Sequence, residues 1–142
     1  MRVLVCASVL LVAAGCGRVT NSTSPGPDAP AEAKGIPNDW NHRDLLAHLN
    51  KKGLRLRMIP TNRGAAFAVP VFFVPEDSPI KTEDEALAAH EAKKPGIVLC
   101  VLFKTAQQAK DEVGASESGF ANGRFGFSAR SPLREQLQAA LP

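Results

Sequence analysis

The sequence predicts an α+β domain, a two-layer sandwich in which a mixed four-stranded sheet carries helices mainly on one face. Three observations predict it. Residues 97–103, Ile-Val-Leu-Cys-Val-Leu-Phe, form an unbroken apolar run bounded by Pro95-Gly96 and Lys104, the length and flanks of a buried strand. Residues 54–58, Leu-Arg-Leu-Arg-Met, alternate with period two, the pattern of a strand buried on one face only. Thr82 and Thr105 are each followed three residues later by Glu or Gln, the capping-box spacing that opens a helix.

Taken in order, the first helix opens after Asn41, a good N-cap. Asp44 sits where a negative charge meets the positive end of the helix dipole, and Trp40 and Leu45 have the spacing of a hydrophobic staple. Leu45, Leu46 and Leu49 supply its apolar side. Gly53 ends it, and Leu54 is placed to touch Leu49 as in a Schellman ending. The alternating strand follows, then a turn at 61–64 and a second strand over 65–74, together a hairpin with Phe67, Val69, Val71 and Phe73 on one face. Pro70 has no N–H to give a ladder, which predicts an edge strand or a bulge there.

A second helix runs from Thr82 to about Lys93, acids first and lysines last, with a thin apolar face that predicts a surface position. The apolar strand comes next. Its helix is capped by Thr105 and stopped by Gly114 in the left-handed conformation. A fourth strand spans 120–128, and Ser131 caps a last helix with Pro132 at its first position, burying Leu133 and Leu137. A strand-helix-strand crossover favours parallel neighbours while the first hairpin is antiparallel, hence the mixed sheet.

Ahead of this domain, residues 1–16 read Met-Arg, then an apolar stretch, then small residues before a cysteine. The stretch is too short to span a membrane and has the form of an export signal. Ala13-Ala14-Gly15-Cys16 resembles the lipobox of bacterial lipoproteins. The resemblance implies removal of residues 1–15, acylation of Cys16 and a membrane anchor facing the periplasm; ordinary cleavage near Ala14, leaving a soluble exported protein, is the alternative. Residues 16–37, rich in Pro, Ser, Thr, Gly and Ala, form a disordered tether spanning about 25 Å, and 38–142 a single domain. With Cys6 lost and Cys16 acylated, Cys100 is the lone thiol of the domain, so no intramolecular disulfide holds it.

The net charge of +3 and the lack of any nucleic-acid module argue against a nucleic-acid partner. No motif implies a cofactor, and no catalytic set stands out. Cys100 sits among apolar residues without the cations that make a reactive thiolate. No GxSxG elbow surrounds Ser78, Ser116, Ser118, Ser128 or Ser131, all of which read as turn or cap residues. Asp44 and His48 have metal-ligand spacing but no third ligand, so they read as a surface ion pair and not as a metal site; His42 points to another side of the helix, and His90 reads as solvent-exposed. Gly114, Gly119, Gly123 and Gly126 follow a helix and lead into a strand, the reverse of a phosphate loop, and read as turn and bulge residues.

The surface feature above background is basic. If Leu54, Leu56 and Met58 face the helices, Arg55 and Arg57 project together from the open face of the sheet, with Arg63 in the adjoining turn. The sequence therefore points to a lipid-anchored, non-catalytic binding or assembly module of the cell envelope, contacting an anionic protein, lipid or cell-wall polymer through Arg55, Arg57 and Arg63. The alternative is a small exported hydrolase whose site is assembled from residues distant in sequence.

Overall fold

The computed structural model describes residues 35–114 and 116–142. Residues 1–34, which hold the expected export signal, Cys16 and most of the expected tether, lie outside the described residues. In chain order the elements are α1 (His42–Lys51), β1 (Leu56–Pro60), β2 (Ala68–Pro75), α2 (Glu83–Glu91), β3 (Val98–Phe103), α3 (Ala106–Val113), β4 (Gly119–Asn122), β5 (Phe125–Ser128) and α4 (Leu133–Ala140). The strands form one sheet in the order β1-β2-β3-β5-β4, and every neighbouring pair is antiparallel.

The α+β class holds, but the four-stranded mixed sheet does not. The expected strand over 120–128 is a hairpin: Gly123, with φ of 57°, and Arg124 form a two-residue turn, so β4 and β5 are separate strands with Asn122 opposite Phe125. A positive φ at the first turn residue matches the twist of the flanking strands, which glycine permits without strain. The crossover from β3 through α3 does return a parallel strand, β4. It lies one position away, and β5 fills the space between, so no parallel pair is hydrogen-bonded.

The helices also divide between the two faces instead of sharing one. Alternation along β1, β2, β3 and β5 sends Leu56, Val71, Phe73, Val98, Cys100, Phe125 and Phe127 into a core with Leu45 and Leu49 of α1 and Leu133 and Leu137 of α4. The opposite alternation sends Ile59, Phe72 and Val74 against Ala86 and Ala89 of α2. At Gly126 this second face is filled by α3, since an added Cβ would stand 2.8 Å from both Phe103 Cε2 and Val113 Cγ1. The thin apolar face of α2 is thus enough to cover a sheet that is itself apolar on both sides.

The helix signals of α1 and α2 hold in detail, and those of α3 and α4 only in part. Asn41 Oδ1 accepts from the N–H of Arg43 and Asp44, and Asp44 returns the bond to the Asn41 N–H at 3.0 Å. Gly53, at φ of 93°, closes the Schellman ending, with the Leu54 N–H bonded to the Leu49 carbonyl at 3.2 Å. The Thr82–Glu85 capping box forms, whereas only half of the Thr105–Gln108 box does, because the Gln108 amide oxygen is buried away from the Thr105 N–H. Gly114 ends α3 in right-handed conformation, contrary to the expected left-handed stop. Ser131 does not cap α4: its hydroxyl bonds to the Glu135 carboxylate.

Pro70 lies in β2, an interior strand, yet its edge requirement is met locally. β1 pairs only with residues 71–75, and Ala65 pairs with Ala68, so at Pro70 itself no strand lies on that side. The Thr61 hydroxyl donates to the Pro70 carbonyl there at 2.9 Å, and the proline nitrogen faces the same open side, where no ladder bond is needed. The packed region begins earlier than expected, since Ile36 is 3% exposed and its N–H donates to Asn122 Oδ1 at 2.7 Å.

Candidate functional site

The three arginines singled out by alternation are not brought together. Arg57 does project opposite Leu56 and Met58, but that face is covered: its guanidinium donates to the carbonyls of Ser78, at 3.0 Å, and Ile80, in the loop before α2. Arg63 pairs with Glu83 at 3.4 Å and Asp84 at 3.2 Å, at the start of the same helix. Arg55 precedes β1 and is turned out of the alternation by a φ of 49°. The cause is local, because the Asn50 side chain pairs with both the N–H and the C=O of Leu56, so the strand starts two residues later than its sequence pattern. An expected open sheet face is therefore closed by α2, and its arginines serve to hold α2 in place.

The remaining titratable candidates are likewise used in packing. Asp44 caps α1, and His48 donates through Nε2 to the Ala140 carbonyl at 3.0 Å, so the two do not form the expected ion pair. His42 is buried edge-on against Phe125 at 5.7 Å between ring centres, and burial lowers its pKa. Cys100 is fully buried, which pushes its thiol pKa well up and keeps it protonated. Among the described residues, no group of three or more His, Cys, Asp or Glu side chains is placed to hold a metal ion, and no helix is long and apolar enough to cross a membrane.

What the fold does assemble is a cluster at the other end of α2. That helix ends in a Schellman motif: the Lys93 N–H bonds to the His90 carbonyl and the Lys94 N–H to the Ala89 carbonyl, both at 3.0 Å. The left-handed position falls on Lys93, with φ of 59°, where glycine is usual. The hairpin register sets Gly119 opposite Ser128, and the Ala129 N–H continues the ladder to the Ser118 carbonyl at 3.1 Å. Ser118 and Ser128 are thereby side by side with hydroxyls 3.2 Å apart. Ser128 Oγ lies 3.1 Å from His90 Nε2, and Ser118 Oγ lies 3.2 Å from Ser116 Oγ. One imidazole and three hydroxyls thus form a continuous hydrogen-bonded chain.

This chain runs into an open cleft of about 740 Å³ lined by Lys93, Ser116, Glu117, Ser118, Arg130, Ser131 and Arg134 among others. Three cations share this lining with the Glu117 carboxylate, and the Glu135 carboxylate stands just behind it, accepting from the Ser131 hydroxyl. Arg134 is held in place through a bond to the Glu117 carbonyl and lies 6.0 Å from the centre of the Phe120 ring, while Arg130 and Lys93 have no ion-pair partner among the described residues. Burial lowers the His90 pKa, a bond to the Ser128 backbone opposes this, and the positive charge of Arg130 lowers it further. His90 is therefore neutral at pH 7 and able to accept or donate one hydrogen bond.

None of these residues stands out in the linear sequence. His90 reads as exposed and the serines as turn residues because the contacts between them span up to 38 positions. The available signal is Asn122-Gly123: once it is read as a hairpin turn, Ser118 and Ser128 fall together. Compared with protein-family models, with characterised proteins and with solved structures, the chain matches none.

Proposed function

We propose that this chain is an exported, lipid-anchored binding module whose domain takes an anionic ligand in the cleft between the end of α2 and the start of α4. The observation that carries the reading is the cleft's composition: Lys93, Arg130 and Arg134 surround the hydroxyls of Ser116 and Ser118, against Glu117 on the lining and Glu135 behind Ser131. Forked guanidinium donors and hydroxyls are the groups that suit phosphate or carboxylate oxygens. The anchor rests on the resemblance of Ala13-Ala14-Gly15-Cys16 to a lipobox. The anionic partner inferred from the sequence is kept, and its place moves from Arg55, Arg57 and Arg63 to Lys93, Arg130 and Arg134, of which Lys93 and Arg130 have no ion-pair partner among the described residues.

The test is stabilisation by small anions at constant ionic strength. Inorganic phosphate at 100 times its dissociation constant raises the unfolding free energy by about 2.7 kcal/mol if it binds only the folded state. Arg130→Gln and Arg134→Gln abolish the effect, and Arg63→Gln does not. A shift no larger than that given by chloride, or one insensitive to both cleft variants, refutes the reading.

A second reading, a small exported hydrolase, is favoured by one observation, the 3.1 Å contact between His90 Nε2 and Ser128 Oγ. There His90 would take the hydroxyl proton as Ser128 attacks an ester carbonyl. The binding reading ranks first because Ser128 shares its hydroxyl with Ser118, and among the described residues no carboxylate is hydrogen-bonded to His90 to orient it. Labelling of Ser128 by a fluorophosphonate, lost in His90→Ala, would reverse that ranking.

A further inference from the structure

Beside the cationic cleft lies a groove of about 750 Å³ formed by Ile80, Ala88, Ala92, Ile97 and three prolines, Pro75, Pro79 and Pro95. Its walls are mainly apolar. Pro95 lines the cleft as well, and a small cavity between the two has Lys94 and Ile97 in common with the groove and Ser118, Ala129 and Arg130 in common with the cleft. Cations and hydroxyls thus adjoin an apolar groove across Pro95, the wall that the two recesses share.

The charges on the groove itself set a direction. Glu85 is occupied in accepting from the N–H of Lys81 and Thr82, which leaves Asp77 as the groove's carboxylate and Lys94, on the part of the lining shared with the small cavity, as its cation. An anion is repelled at Asp77 and attracted toward Lys94 and, beyond it, Lys93, Arg130 and Arg134. Three prolines without N–H groups offer poor pairing to a peptide backbone, whereas a hydrocarbon chain needs no hydrogen bonds. Each of the two recesses falls within the size range of small-molecule sites.

We propose that the ligand is an anionic lipid with a single acyl chain, its phosphate head in the cationic cleft and its chain along the groove beneath α2. This rests on the anion-binding reading of the cleft and adds the identity of the remainder of the ligand. Burial of apolar surface then contributes to affinity in proportion to chain length.

The experiment compares monodecyl phosphate, monomethyl phosphate and decyl glucoside by calorimetry, each below its micelle concentration. The expected result is monodecyl phosphate binding at least tenfold more tightly than either of the others. Ala88→Phe, at an exposed position on the groove, removes the gain from the chain while leaving monomethyl phosphate binding unchanged, which also shows that the variant is folded. Equal affinity for the two phosphates overturns this inference and leaves the cleft reading standing. Binding of neither phosphate overturns both. Decyl glucoside binding as tightly as monodecyl phosphate also overturns it.

Discussion

Lys93 occupies a position where its backbone and its charge make opposite demands, and Lys93→Gly separates them. A residue with a Cβ in left-handed conformation costs roughly 1–2 kcal/mol, and glycine in its place returns about 0.4–1 kcal/mol through the greater freedom of its unfolded state. Lys93 has φ of 59° and an exposed side chain, so little packing is lost on truncation. The net expectation is a gain of about 0.5–1 kcal/mol, or about 3–6 °C in Tm for a domain of this size. The same change removes one of the three cleft cations and weakens phosphate binding roughly fivefold, the loss of about 1 kcal/mol of charge-assisted contact. Arg55→Gly is the control. Its φ of 49° predicts a similar gain in stability, with phosphate binding retained. Thermal unfolding followed by circular dichroism and phosphate calorimetry read the two effects separately. A destabilised Lys93→Gly would refute the strain argument. Unchanged binding in Lys93→Gly, or lost binding in Arg55→Gly, would refute the placement of the site.

Three further outcomes are expected. Cys100→Ala costs about 1–2 kcal/mol in denaturant unfolding through a small cavity, and Cys100 reacts with thiol reagents slowly in the native state and fast in denaturant; rapid native labelling would contradict its burial. His42 and His90 both have pKa values lowered from 6.5, so below about that pH the unfolded chain binds more protons and stability falls as pH drops from 7 toward the folded-state values; His90→Gln flattens that slope in pH-dependent denaturation. Cys16→Ser abolishes incorporation of labelled fatty acid and releases the protein from the membrane fraction, and a wild type already fully soluble after export would contradict the anchor.

The local rules of helix boundaries were legible in the sequence because they act over three or four residues. Asn41, Gly53 and Thr82 each do in the fold what their spacing indicates. Alternation also assigned Val71 and Phe73 to one face correctly. It could not tell where burial ends: Phe67 and Val69, the continuation of the same stripe, remain 51% and 50% exposed. It failed at Arg55, where the Asn50 side chain decides the start of pairing, a contact that period two cannot express. Sheet order was hidden by the missed turn at Gly123, and with it went the site, since Ser118, Ser128 and His90 meet only through that hairpin. The cations of the cleft were visible as residues but not as a group, being supplied by α2 and α4 from opposite ends of the second half of the chain.

The position of β5 between β3 and β4 has a consequence for when the molecule can be completed. β3 gains its second neighbour only when residues some 25 positions later arrive, so Val101 and Leu102 stay on an open sheet edge until the β4–β5 hairpin docks. Exposed apolar edges of this kind recruit other chains. A polypeptide emerging slowly, whether from synthesis or through a membrane pore, holds that edge open for as long as its last quarter is delayed. The C-terminal segment is thus the closing piece of the sheet. Its arrival both shields β3 and, by bringing Ser128, Arg130 and Arg134 to the end of α2, creates the cationic cleft in the same event.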